Sequence, residues 1–293
     1  MDFTLKTFRT FLGALLDRNY RFVMLTSYLQ HSSFQQNSFN SFAASLEDQQ
    51  FINSTNQQII ILRHDVDLHP QNALQTALIE HELGIKGTYY FRVVPESFDL
   101  RIMQKIAGLG HEIGYHYEDV DLVYKRLKKE GKIKVDNDTL IDLAYESFCK
   151  NLEFFRKYFD IKTICMHGSP LGKYDNKIIW KKYNYKELGI LGEPYFDIDY
   201  DEFAYFTDTG RRWNGDKVSL RDKVNSVYNF RFKSTKHLID NIDSLPDKIL
   251  ITIHPERWSN NLFIWVRELV WQNFKNVIKF GLNQYKRLEI KNY

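Results

Sequence analysis

The stretch Arg63-His64-Asp65-Val66-Asp67 follows directly on four aliphatic residues, Ile59 to Leu62, and Leu68 and His69 continue it. A charge taken out of water is costly unless it is paired or bound to a metal. A run apolar enough for a core that leads straight into ionisable side chains therefore either surfaces abruptly or delivers those side chains to a site. Three other short runs end the same way. His116 closes HEIGYH, with Glu118 and Asp119 just beyond, His167 closes KTICMH before Gly168, and His254 closes KILITIH before Pro255. Asp65 and Asp67 are two apart, so an extended backbone turns both carboxylates to one side. Imidazole and carboxylate are ligands of hydrolytic Zn²⁺ sites and also the groups that move protons. A lone histidine at a strand end is ordinarily a hydrogen-bonded structural residue. Four such ends fit a metal-dependent site, and the residues alone leave both readings open.

The elements that must position these residues are read from periodicity and punctuation. YRFVMLTSYL (20–29), QIIIL (58–62), KGTYYFRV (86–93), HEIGYH (111–116), KTICMH (162–167) and KILITIH (248–254) read as strands. An amphipathic helix with Phe8, Leu12, Leu15 and Leu16 on one face opens the chain. Pro70 opens a second helix, 71–83, with Gly84 at its end. Further helices are expected at 100–110, at 139–158 with Asn137 or Asp138 as cap, and at 262–274. Residues 30–57 read as a long loop with one short helix near 40–48, 123–134 as a solvated charged segment, and 171–215 as short irregular pieces. Continuous aliphatic strands alternating with helices are the pattern of a parallel sheet covered on both faces. A barrel and a doubly wound sheet both fit, and in either the strand ends gather on one rim. We expect one domain, in which residues 1–57 are appended to a core of 58–293.

With 40 Lys and Arg against 37 Asp and Glu, the 293-residue chain has a formal charge of +3, too balanced to argue for nucleic acid or an anionic membrane. Hydrophobic residues make up 43% of the chain, enough for a full core. Cys149 and Cys165 are read as reduced core thiols. No span reaches the length of a membrane helix, and Asp2, Lys6 and Arg9 argue against a signal peptide. The expected location is cytoplasmic.

GHEIGYH (110–116), placed after KGTYYF and the HDVD segment, resembles the polysaccharide deacetylase superfamily, the NodB-homology carbohydrate esterases of family 4. The order of motifs matches from residue 59 to about 258. The resemblance implies an α/β fold, a distorted (β/α) barrel with a mostly parallel sheet. It implies a divalent metal, Zn²⁺ first among them, and removal of an acetyl group from an N- or O-acetylated sugar. Asp65 and Asp67 stand where the family has its Asp pair, and we assign the general base to Asp65 and the metal to Asp67. His116 matches the first ligand histidine, and His254 the late histidine that serves as general acid. The chain departs from the pattern in three places. Val66 separates the two aspartates, Val120 stands where the second ligand histidine belongs, and the third motif lacks its arginine. Glu118, His167 or His111 must then complete the metal sphere. Alternation places His111 opposite His116 and ranks it last. An oxyanion donor is expected from the backbone beside Tyr115 or Gly168.

Asp208, Arg211 and Trp213, in YFTDTGRRW, are candidates for a substrate rim, with Trp213 as a sugar platform; a tight turn at Gly210 is the plainer reading. Arg257 could replace the missing arginine beside Asp65 or Asp67, or simply begin a helix after Pro255. The acids of EPYFDIDYDEF (193–203) have no central glycine and do not make a calcium loop. The expected substrate is a carbohydrate: an acetylated sugar, nucleotide sugar or surface-polysaccharide intermediate. The alternatives are a non-catalytic barrel that binds carbohydrate or a partner, and a metal-dependent hydrolase of another ester.

Overall fold

Parallel pairing runs through every ladder of the sheet, as the unbroken aliphatic strands require. The computed structural model describes residues 1–36, 58–132, 134–168, 172–213 and 224–291. In chain order the strands are β1 (Arg21–Val23), β2 (Ile59–Val66), β3 (Thr88–Phe91), β4 (Glu112–Tyr117), β5 (Ile164–Met166), β6 (Ala204–Thr207) and β7 (Lys248–Ile253). They lie in the order β5-β4-β3-β2-β7-β6, curled into a half-barrel of the distorted (β/α) type, with β1 also on β2. The main helices are α1 (Leu5–Asp17), α2 (Leu25–Gln36), α3 (Pro70–Glu82), α4 (Leu100–Gly108), α5 (Asp119–Lys129), α6 (Asn137–Arg156), α7 (Pro194–Asp197), α8 (Thr235–Asp240) and α9 (Leu262–Lys291).

Every residue of β2 is buried, charged ones included, so the strand continues through Val66 instead of ending at Leu62. Alternation sorts it into two faces. Ile60 and Leu62 pack with Phe8, Phe11, Leu12, Leu15 and Ile251 under α1, while Ile59 and Ile61 pack with Tyr90, Cys165 and Leu250 on the other side. Arg63 and Asp65 share the second face and pair there, Nε to Oδ1 at 2.8 Å and Nη2 to Oδ2 at 2.6 Å. His64 faces the other way, 2.8 Å from Glu80 of α3 and stacked on Tyr89 at 4.0 Å between ring centres.

The expected strand at 20–29 is replaced by three residues of strand and a helix. β1 pairs with Ile59–Ile61, and from Arg63 onward β3 takes the same edge of β2, so no room remains for a longer β1. The N–H groups of Leu25 and Thr26, freed at the start of α2, donate to Thr88 Oγ1 at 3.0 Å and Glu112 Oε2 at 3.1 Å, a carboxylate at a helix N-terminus. The short helix expected near 40–48 lies outside the described residues. The charged segment at 123–134 is helical to Lys129, with Val123 and Leu127 buried and Lys125, Arg126, Lys128 and Lys129 exposed. Asp136, rather than Asn137 or Asp138, caps α6 by accepting from Thr139 N at 2.9 Å. The last helix is 30 residues long and continues well past the expected end at 274. Neither cysteine is in a disulfide, and Cys165 is buried.

Candidate metal centre

At the carboxyl end of β2 the chain folds back sharply, with Asp67 N donating to Asp65 O at 3.1 Å. This turn sets Asp67 beside the ends of β4 and β5. Asp67 Oδ1 lies 3.4 Å from His116 Nε2 and 3.4 Å from His167 Nε2. The three donor atoms lie within 4.8 Å of one another.

The tautomers follow from what holds the other ring nitrogens. His116 Nδ1 is 2.9 Å from the Cys165 carbonyl, so it donates and leaves Nε2 with a lone pair. His167 Nδ1 is 3.2 Å from Glu118 Oε2, a contact that turns Nε2 toward Asp67. Asp67 Oδ1 is buried and has no hydrogen-bond partner. The His116 lone pair, His167 Nε2 and an orphaned carboxylate oxygen thus converge on one point, as the ligands of a cation do. Ligands about 2.1 Å from a tetrahedral ion stand roughly 3.4 Å apart, which is the spacing from Asp67 to each histidine. The donor set fits a divalent ion such as Zn²⁺. The carboxylate and carbonyl behind the two rings are the partners that ligating histidines ordinarily have.

Glu118 stands behind His167, not beside Asp67. Its Oε1 is held by Arg92 at 2.5 and 2.7 Å, and Arg92 Nη1 also donates to the Asp67 carbonyl at 3.0 Å. Burial opposes ionisation of Glu118, but His167 and Arg92 hold its carboxyl below the ordinary value. Asp65 lies 3.8 Å from His116 Nε2, next to the metal group, with both oxygens taken by Arg63. Burial works against its charge, yet Arg63, helped by His116, holds the carboxyl at about 2. Arg63 therefore does what the missing third-motif arginine was expected to do. The parity rule that pairs Asp65 with Asp67 could have pointed to it, because Arg63 has the same parity.

His254 ends β7, and Asp208 follows β6. Nδ1 of His254 meets Asp208 Oδ1 at 2.6 Å, and Asp208 also accepts from His254 N at 3.0 Å, Arg257 Nη1 at 2.7 Å and Trp258 Nε1 at 2.7 Å. Burial and Arg257 lower the histidine's pKa, but Asp208 outweighs them and raises it above the usual value. Asp208 is thus a buried support for His254 and not a substrate rim. Arg257 pairs with Asp208 instead of Asp65 or Asp67, within a short 3₁₀ turn, Pro255–Arg257. Trp213 is only 3% exposed and so offers no open sugar platform. It packs among Phe3, Phe11 and Trp258, and its Nε1 donates to Thr235 at 2.9 Å. Arg211 is also buried, with its guanidinium over the Phe3 and Trp265 rings, at the turn the plainer reading expected. His111 faces away from the centre, bonded to Ala77 O and Gly87 N at 3.1 Å each.

Glu256 is a residue that sequence reasoning missed. It is buried, its Oε2 has no partner, and burial above all pushes its carboxyl up to about 7 despite Arg257. Its charge is felt by Lys275 of α9, which also feels Asp67 and whose pKa burial lowers. The cue was its place one residue after His254-Pro255, on the same rim.

No family model matches the chain, and no curated protein matches it. Solved structures do. One is a BA3943 mutant described as a CE4 family pseudoenzyme with restored enzymatic activity, 11% identical over 76% of this chain and 65% of that one, with a TM-score of 0.39. Another BA3943 mutant, described as a CE4 family pseudoenzyme, is 12% identical over 76% and 64%, with a TM-score of 0.40. Wild-type BA3943, a CE4 family pseudoenzyme from Bacillus anthracis, is 11% identical over 76% and 63%, with a TM-score of 0.40. The chain thus spans less than two thirds of the length of these three structures.

Proposed function

We propose that the protein is a metal-dependent deacetylase acting on an N- or O-acetylated sugar or sugar derivative, with the ion held by Asp67, His116 and His167. The observation that carries this reading is the buried Oδ1 of Asp67 set 3.4 Å from Nε2 of both His116 and His167. The GHEIGYH resemblance supplies the reaction class.

Asp67, His116 and His167 would hold a divalent ion, which would supply Lewis-acid polarisation of an acetyl carbonyl and a more acidic water. Asp65 is the base. The Arg63 fork keeps its carboxylate ionised and aimed at the site. His254, whose proton affinity Asp208 raises, is the donor to the leaving nitrogen or oxygen. The backbone around Gly168 is the remaining candidate for the oxyanion, because the Tyr115 N–H already donates to Thr163 O at 3.4 Å.

Protein purified without chelator should carry about one divalent ion per chain and cleave a chromogenic acetyl ester. Asp65→Asn should keep the metal and lose turnover by about 10²-fold or more. Asp67→Asn should lose the metal, and activity with it. A wild-type chain that takes up no Zn²⁺, Co²⁺ or Ni²⁺ would sink the reading, and an opposite pattern in the two variants would exchange their roles.

A further inference from the structure

Helix α9 is turned inside out relative to an ordinary surface helix. Three of its polar residues face the protein. Glu268, Gln272 and Asn276 are 8%, 3% and 6% exposed, and Asn276 Nδ2 donates to Gly210 O at 3.0 Å. Trp265 adds a bond from Nε1 to Asp2 O at 2.6 Å. The apolar residues face out: Phe263 is 76% exposed, Val266 44%, Val270 64%, Trp271 51%, Phe274 57% and Val277 73%. Phe263, Val266, Val270, Phe274 and Val277 recur at helical spacing and form one continuous stripe. Scaled by the ordinary areas of these residues, and with Leu262 and Trp271 beside them, the exposed surface is roughly 800 Å², what each partner contributes to a standard interface.

We infer that this stripe pairs with the same stripe of a second copy, the two α9 helices running antiparallel about a two-fold axis at Val270. The sequence has the symmetry that such an axis needs, since an isologous contact must be self-complementary. Val266 and Phe274 stand four residues to either side of Val270, and Phe263 and Val277 seven. The axis therefore sets Phe against Val in every flanking layer, large against small, the arrangement that fills a helix–helix contact without overlap. Arg267 and Asn273 stand three residues to either side, so the guanidinium of one copy meets an amide of the other. A parallel pairing would instead set Phe263 on Phe263 and Arg267 on Arg267, opposing like charges. No acid lies among the stripe residues, and the neighbouring Glu268 is turned inward.

The full chain should sediment at twice the 35.0 kDa of one copy. Val270→Glu, which brings two carboxylates together on the axis, should halve that mass while far-UV circular dichroism stays unchanged. Val270→Cys should cross-link to itself under mild oxidation, and Phe263→Cys should cross-link only when mixed with Val277→Cys. A wild-type chain that stays monomeric throughout the micromolar range overturns the inference. So does a dimer that survives Val270→Glu, and so does a monomer that binds anionic lipid vesicles through the stripe.

Discussion

Asp65 and Asp67 are the same residue type two positions apart, and their neighbours give them different chemistry. Asp65 has a guanidinium across both oxygens, whereas Asp67 has an oxygen left over between two rings. Their shared face was legible from spacing, and His167 was legible as a strand end. The choice between Glu118 and His167 was not, because it depends on Arg92, which draws the carboxylate behind the imidazole. Trp213 misled for a related reason. An aromatic after a turn looks alike in sequence whether it points out or in, and here Phe3, Phe11 and Trp258 from both ends of the chain draw it in. The placement of Glu118 has a measurable consequence. Glu118→Ala should weaken Zn²⁺ affinity about 10- to 100-fold, as loss of an orienting partner does, with partial recovery in Glu118→Gln. His167→Ala should weaken it far more. Competition with a chromogenic chelator measures both, and equal losses would place Glu118 on the metal.

Strand existence was legible because Ile, Leu and Val runs bounded by Gly and Pro have few other uses, whereas strand ends were not. The ionisable residues of β2 read as a strand end because burying them is expensive. Arg63 with Asp65, and His64 with Glu80, offset that cost through partners that periodicity does not reveal. β4 carries a different constraint at Gly114. A Cβ there would overlap the Tyr90 ring and stand 3.1 Å from Thr163 O. The ring cannot swing aside, because Tyr90 is fully buried and its hydroxyl is bonded to Thr163 at 2.9 Å. Gly114→Ala should therefore destabilise the protein by about 1–3 kcal/mol, as overpacking does, seen as a lower urea midpoint. An unchanged midpoint would mean that β3 and β4 shift apart freely.

Across the whole molecule, several buried carboxyls are held with raised pKa values, chiefly by burial: Asp119 at about 6, and Glu193 and Glu256 at about 7. For Asp119 the ordinary value is 3.8. Between about 4 and 6 the unfolded chain has released a proton that the folded chain still holds, so stability falls as pH rises through that window. The two-unit shift corresponds to about 2–3 kcal/mol. Asp119→Asn, which can still accept from Ser147 and Asn151, should flatten urea-unfolding stability between pH 4 and pH 6 relative to wild type. Asp65 acts in the opposite sense. Its lowered pKa adds stability above about 4 that is lost as pH drops toward 2. If Asp119→Asn keeps the wild-type slope, the carboxyl is ionised in the fold.

The order of strands in the sheet also orders events in time. β7 is the last strand among the described residues, yet it lies between β2 and β6. A chain emerging from the ribosome can assemble β2 to β5 and thereby bring Asp67, His116 and His167 together while the other edge of β2 is still bare. That edge is a template for unwanted pairing until residues 248–253 arrive to cover it. His254 comes with them, directly after the strand. Vectorial synthesis thus assembles the proposed metal ligands before the proposed proton donor, so on that reading a nascent or truncated chain would capture an ion before it could turn over substrate.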